Sequence, residues 1–141
     1  MQHAVNIRLI LAGMRQQSRH LPAFLLLELL PAPQHGGALQ TALNTRLPGL
    51  KADSGAVYRA LLRMERDGEI ESRWDTSNPG PARRIYAVTS SGLARLTEWK
   101  EDISSRRAIL DYFLKEYGKL TASQAGTPPA GQDSPPQVQG K

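Results

Sequence analysis

Three short segments of helical apolar spacing, then a segment of period two, then a heptad repeat predict a mainly α fold with a small β-hairpin. The order helix, helix, helix, hairpin is that of a winged helix-turn-helix, and the heptads add a long C-terminal dimerisation helix. The expected layout is an N-terminal extension over residues 1–20, a DNA-binding domain over 21–92, a dimerisation helix over 93–120 and a disordered tail over 121–141.

In the extension, Val5, Leu9, Ile10 and Met14 fit one face of a short helix that Gly13 and Ser18 bring to an end. Pro22 suits a first helical turn, and Phe24, Leu25, Leu27 and Leu29 describe a mostly buried helix stopped by Pro31 and Pro33. Leu39 and Leu43 face inward on a second helix over residues 37–46, and Leu47-Pro48-Gly49 breaks it. Asp53 is placed to cap a third helix that runs through Arg66 and closes at Gly68. Ile70, Ser72 and Trp74 then alternate with charged residues, the signature of a half-buried strand. Asn78-Pro79-Gly80-Pro81 is a turn, and residues 84–89 return with Tyr86 and Val88 on one face.

The last helix is expected over residues 91–120. Leu96, Ile103, Leu110 and Tyr117 recur at sevens, and Trp99, Arg106, Phe113 and Leu120 recur at sevens three positions later. Such a helix is on the order of 45 Å long, more than a small domain covers, so the seam calls for a second copy of the chain. The alternative is packing on the chain's own first helix. The dimer contacts are expected from Leu96, Trp99, Ile103, Leu110, Phe113 and Tyr117. Beyond Leu120, seven Pro or Gly in 21 residues leave too little apolar surface to offset chain entropy.

Composition removes whole classes of function. The chain of 141 residues has no cysteine, which excludes disulfides, thiolate metal sites and Cys nucleophiles. The three histidines, His3, His20 and His35, lack metal-ligand spacing, and neither a phosphate-cradling Gly-Lys loop nor a Gly-x-Ser-x-Gly elbow occurs. An enzyme, a metal site and a cofactor are therefore not expected. The apolar stretch from Phe24 to Leu30 is broken by Glu28 and is too short to span a bilayer, and the start lacks a signal-peptide pattern, so a cytoplasmic protein is expected. The net charge is +5, with 13 of the 18 basic residues arginine, a balance suited to phosphate and guanine.

The third helix carries two opposed stripes. Val57, Leu61 and Met64 fall at i, i+4 and i+7, and Arg59, Arg63 and Arg66 repeat that spacing two residues on, about 200° around the helix. One side packs while the other offers guanidinium groups. Lys51, Ser54, Gly55 and Ala56 lie at its start, where small residues let backbone N–H groups meet phosphate. Tyr58 serves as a phosphate hydrogen-bonder or as a helix–hairpin contact. Arg83 and Arg84 follow the hairpin turn, placed to reach flanking phosphates or to pair with Glu71 or Asp75. Six arginines face five acids between residues 54 and 89, so the arrangement carries the case for DNA and bulk charge does not.

The run Asp53-Ser54-Gly55-Ala56-Val57-Tyr58-Arg59-Ala60-Leu61, followed in order by Glu65, Gly68, Ile70-Glu71-Ser72, Trp74, Gly80-Pro81, Arg84, Tyr86, Val88-Thr89 and Gly92, resembles the PadR family of transcriptional regulators. The single long last helix is similar to its shorter subfamily. The resemblance implies a homodimeric winged-helix repressor on double-stranded DNA with a two-fold operator, often relieved by a small aromatic or lipophilic effector. Two motifs depart from the family pattern. His35-Gly36-Gly37 stands where His-Gly-Tyr is usual, and Gly55-Ala56-Val57-Tyr58 where Gly-Thr-Leu-Tyr is usual. Trp99 with Arg106 in the seam is the expected effector site, combining an indole with a cation; a plain core role for Trp99 is the alternative. The rival function is a winged-helix protein-interaction or assembly module without specific DNA binding.

Overall fold

The computed structural model describes residues 19–50 and 52–125. The expected N-terminal helix, Lys51 and the tail from residue 126 lie outside the described residues. The chain divides into one unit ending at Lys100 and another beginning at Glu101.

The first unit contains α1 (Leu21–Leu29), β1 (Gln34–His35), α2 (Gly36–Arg46), a 3-10 turn (Pro48–Leu50), α3 (Ser54–Arg66), β2 (Ile70–Asp75) and β3 (Arg83–Val88). Helix α4 (Ser90–Ala125) begins in this unit and continues into the next. The strands form one antiparallel sheet in the order β1-β3-β2.

Leu25, Leu26 and Leu29 of α1, Leu39 and Leu43 of α2, and Val57, Leu61 and Met64 of α3 meet Ile70 and Tyr86 of the sheet in a single core. Each fully buried leucine contributes about 2 kcal/mol through the apolar surface removed from water. Leu26 takes the buried place expected of Leu27, which is 53% exposed. On a helix Leu26 follows Leu25 and Leu29 around the inward arc, and Leu27 falls past its edge. Glu28 is buried among these leucines because Arg46 of α2 donates to its carboxylate at 2.6 Å.

Local chemistry sets the ends of α3. The Asp53 carboxylate accepts from Ala56 N–H at 2.7 Å, a cap that stabilises the helix by about 1 kcal/mol. At the other end Gly68 adopts φ +76°, so that its N–H reaches the Glu65 carbonyl and the N–H of Glu69 reaches Met64. This Schellman closure requires a left-handed residue, which only glycine supplies without strain.

Thr89 joins the wing to α4. Its N–H donates to the Glu69 carbonyl, its hydroxyl donates to the Gly68 carbonyl at 2.6 Å, and that hydroxyl accepts from Gly92 N–H at 3.1 Å. Gly92 is buried directly over Glu69, where a Cβ would lie 2.0 Å from the Glu69 carbonyl oxygen.

Four details differ from expectation. Strand β1 has only two residues, too short for a periodic signal, yet it makes the sheet three-stranded. Strand β3 starts one residue early, at Arg83. Trp74 is 63% exposed although the alternation pointed it inward, because it lies toward the hairpin tip, four residues from Ile70, the residue of β2 that enters the core. Helix α4 starts at Ser90 and persists to Ala125, so residues 121–125 are helical and do not belong to a disordered tail. Residues 121–125 include two alanines and a glutamine, good helix formers, and the breakers begin only at Gly126.

In the second unit, Ile109, Leu110, Tyr112, Phe113, Leu114, Tyr117 and Leu120 are each at least 60% exposed. Phe113 and Tyr117 stack with centroids 6.2 Å apart. Ion pairs Arg106–Asp102 (2.9 Å), Arg107–Asp111 (3.5 Å) and Lys119–Glu116 (3.4 Å) support the helix locally by a few tenths of a kcal/mol each.

Candidate nucleic-acid interface

The two stripes of α3 separate as its spacing dictates. Val57, Leu61 and Met64 are buried in the core, while Ser54, Tyr58, Arg59, Arg63 and Arg66 are exposed. Gly55 and Ala56 are half-buried beneath them. Arg59 and Arg63 form no ion pair among the described residues; Arg66 lies 3.8 Å from Asp67. Arg59 reaches back over the helix start, close enough that a Cβ on Gly55 would sit 3.1 Å from its guanidinium. A side chain there would compete with that arginine.

The wing places its arginines on strand β3. Cross-strand register sets Arg83 opposite Asp75 and Arg84 opposite Trp74, but neither arginine pairs with Asp75 or Glu71. Asp75 accepts from the Ser77 hydroxyl at 2.6 Å and from the Ser77 N–H at 3.0 Å, and it meets His35 Nε2 at 3.3 Å. The two Ser77 bonds, with His35 and Arg73 adding attraction, hold its carboxyl below the usual range. The other nitrogen of His35 lies 3.3 Å from the Arg84 carbonyl, so the ring ties β1 and the start of α2 to both wing strands. A doubly protonated ring donates to both acceptors and a neutral ring to one.

Arg84 lies 3.9 Å from Glu65 and stacks over Trp74 at 5.4 Å from the ring centroid. Glu65 in turn accepts from the Ser72 hydroxyl. Burial raises the Tyr86 phenol above its ordinary value against the lowering pull of Arg84, so it is a neutral hydroxyl at physiological pH. Arg83 is exposed and has no ion pair among the described residues. Tyr58, Arg83, Arg84 and the first turn of α2 share one groove. The Tyr58 phenol is 56% exposed there, with its side chain in reach of solvent. Sequence reasoning missed the contribution of Trp74 and Gly37 to this side. Tight pairing of β1 against β3 creates it, and a two-residue strand leaves no trace in residue periodicity.

Arg63 lies elsewhere on α3. With Arg19, Met64, Arg95, Glu98 and Trp99 it lines a cavity of about 820 Å³. Leu96 and Trp99 pack half-buried against the core of their own unit. Trp99 meets the edge of His20 at 5.9 Å and carries Arg95 over its face at 4.8 Å. Its indole N–H and His20 Nε2 are buried and have no hydrogen-bond partner among the described residues. Arg106, expected beside Trp99 in the effector site, donates to Asp102. No three potential metal ligands gather among the described residues, and none of the described helices is long and apolar enough to cross a membrane.

An amphipathic third helix with a cationic outer face, set beside an arginine-bearing hairpin, defines a winged-helix module of the kind that transcriptional regulators use on DNA. The chain belongs to the transcriptional regulator PadR-like family, which matches residues 25–98. It is 38% identical over 64 residues to the transcriptional regulator Rv3488 of Mycobacterium tuberculosis, covering 45% of this chain and 57% of that protein. Its fold is similar to a PadR-like transcriptional regulator from Bacillus cereus, with TM-score 0.63 and 27% identity over 71% of this chain and 96% of the other. A PadR family transcriptional regulator from Eggerthella lenta is similar in fold, with TM-score 0.63 and 24% identity over 84% of this chain and 96% of the other.

Proposed function

We propose that the protein is a homodimeric repressor that binds a two-fold operator in double-stranded DNA. The observation that carries this reading is the pairing of one exposed face of α3 with the wing: Arg59 and Arg83 have no ion pair among the described residues, and Tyr58 is exposed beside the wing arginines. Unpaired guanidinium groups on convex elements are available to phosphate at no cost in broken ion pairs. Ser54, Gly55 and Ala56 bring the start of α3 close to the duplex, with Lys51, three residues earlier in the sequence, contributing charge. Arg59 reads or clamps in the major groove, Arg63 lies one turn further along, and Arg83 with Arg84 holds the flanking backbone.

The exposed stripe of Ile103, Leu110, Phe113 and Tyr117 supports dimerisation through α4, because apolar surface of that extent on a free helix is costly in water. Leu96 and Trp99 take part from their half-buried positions at the first unit. Two such protomers present two α3 helices, as a two-fold operator requires.

If the dimer neutralises about 6 phosphates, log affinity falls with log salt at a slope near −5. Arg83→Ala is expected to weaken all sequences alike and to flatten that slope by about 1 for each phosphate no longer neutralised. Fluorescence anisotropy across a salt series checks this, and an unchanged slope removes the wing from the interface.

Release by an effector is proposed at Trp99. The surrounding cavity, with Arg95 stacked on the indole and paired with Glu98 at 2.7 Å, and with an indole N–H lacking an acceptor among the described residues, suits a flat aromatic ligand. Arg106, expected from the sequence beside Trp99, is not among the residues that line this cavity. In Trp74→Phe, which leaves Trp99 as the sole indole, planar aromatic ligands are expected to quench its fluorescence saturably. Absence of quenching together with unchanged operator affinity makes Trp99 a core residue only.

A further inference from the structure

Glu65 is an acid on a side of α3 that otherwise offers a phenol and guanidinium groups. It lies seven residues after Tyr58, two turns along the same side of the helix. A carboxylate there repels the phosphates of a duplex, so on charge alone it weakens binding. Both of its oxygens are engaged by the wing. One accepts from the Ser72 hydroxyl on β2, and the other lies 3.9 Å from Nη1 of Arg84 on β3. The side chain therefore reaches from the helix to both strands of the hairpin.

Arg84 is half-buried, with its guanidinium over Trp74 at 5.4 Å from the ring centroid. The register sets Arg84 directly opposite Trp74 and Ser72 opposite Tyr86, so the arginine has a charge partner on α3 and a ring partner on β2. Its neighbour Arg83 is exposed and has no ion pair among the described residues. At 3.9 Å the contact between Glu65 and Arg84 is a charge attraction and not a hydrogen bond, and partial burial of both groups strengthens it. An arginine already fixed loses less side-chain freedom when it meets a phosphate. It also favours a duplex whose backbone lies where the guanidinium is held.

We propose that Glu65 is a positioning residue for DNA recognition: it holds Arg84 on the Trp74 ring and ties the wing to α3, so that helix and wing meet one duplex in a fixed register. This role rests on the proposed DNA contacts of α3 and the wing. It predicts a sign that the bare charge does not. Removing a merely solvated acid from this side tightens binding to every sequence alike. Removing a positioning acid weakens binding to the matching sequence.

The test compares full-length wild type, Glu65→Gln and Glu71→Gln. Glutamine nearly matches glutamate in size and can still accept from Ser72, so the substitution removes the charge beside Arg84 and keeps the other bond. Glu71 is exposed on the same strand as Ser72 and lies outside the proposed contacts. In nitrogen-15 spectra without DNA, the two tryptophans give two indole N–H signals. The Trp74 signal is expected to shift in Glu65→Gln and to stay in Glu71→Gln, with the Trp99 signal unmoved in both. Glu65→Gln is expected to bind a duplex from upstream of the protein's own gene about tenfold more weakly, and a scrambled duplex no more weakly than wild type does. Retained binding of the scrambled duplex also reports an intact fold. Glu71→Gln is expected to bind both duplexes slightly more tightly. In an Arg84→Ala background the tenfold loss is expected to vanish, since the carboxylate then has no guanidinium to hold.

A Trp74 signal unmoved in Glu65→Gln overturns the hold on Arg84. Equal or tighter binding of the upstream duplex by Glu65→Gln, or the same tenfold loss in the Arg84→Ala background, overturns the positioning role. A wild-type chain that binds neither duplex contradicts the proposed function and this role together, whereas discrimination left intact in Glu65→Gln contradicts this role alone.

Discussion

Gly92→Ala is expected to destabilise the protein by about 3 kcal/mol, the upper range for a forced overpacking. The reason is geometric. The added methyl carbon would sit 2.0 Å from the Glu69 carbonyl oxygen and 3.1 Å from its carbon, and backbone cannot rotate out of the way as a side chain can. That carbonyl already accepts from Thr89 N–H, and Gly92 N–H donates to the Thr89 hydroxyl, so moving α4 away breaks the joint between helix and wing. A loss of that size lowers the thermal midpoint by roughly 15 °C for a domain of this length. Gly118→Ala is the control: nothing lies within 4 Å of its Cβ, and alanine favours the helix. Thermal unfolding followed by circular dichroism compares them, and a Gly92 variant within about 0.5 kcal/mol of wild type contradicts the close packing at this joint.

Leu110→Asp is expected to dissociate the dimer while leaving the fold intact. Leu110 is 63% exposed in the single chain, so the carboxylate costs the protomer little. In a two-fold seam the same carboxylate is buried without a partner, a penalty of about 4 kcal/mol per copy and so about 8 kcal/mol per dimer, or roughly a millionfold in dissociation constant. Tyr112→Asp changes an equally exposed residue, 68%, on the side of the helix away from the heptad stripe, and is expected to keep the dimer. Sedimentation at micromolar concentration separates the outcomes. A persistent dimer in the Leu110 variant moves the interface off this stripe.

Much of the fold was legible because its signals are strong and local. Asp53 at the start of α3 and Gly68 at its end behave as capping chemistry demands, and the stripe of Val57, Leu61 and Met64 is the buried one. The errors share a cause, which is tertiary context. Trp74 fits an inward strand position, but whether that position is covered depends on how far the core reaches along β2, and it reaches only Ile70. Trp99, whose place in the seam is not among these errors, packs on His20 and under Arg95 in its own unit, contacts that heptad spacing does not reveal. Leu27 shows the same limit on a helix that is apolar almost all round, where spacing barely distinguishes the covered arc. For the candidate site, the arginines of α3 and β3 were readable as a face, whereas the groove beside them is lined from α2, α3 and both wing strands at once, and empty space has no sequence period.

The central claim is sequence-specific recognition of DNA by α3 and the wing. Fluorescence anisotropy with a duplex taken from upstream of the protein's own gene, against a scrambled duplex of the same composition, tests it most directly. The account predicts binding to the first at least roughly a thousandfold tighter at physiological salt, with that preference reduced in Arg59→Ala. Equal affinity for both duplexes, or no binding to either even at low salt, would instead identify the fold as a protein-interaction module.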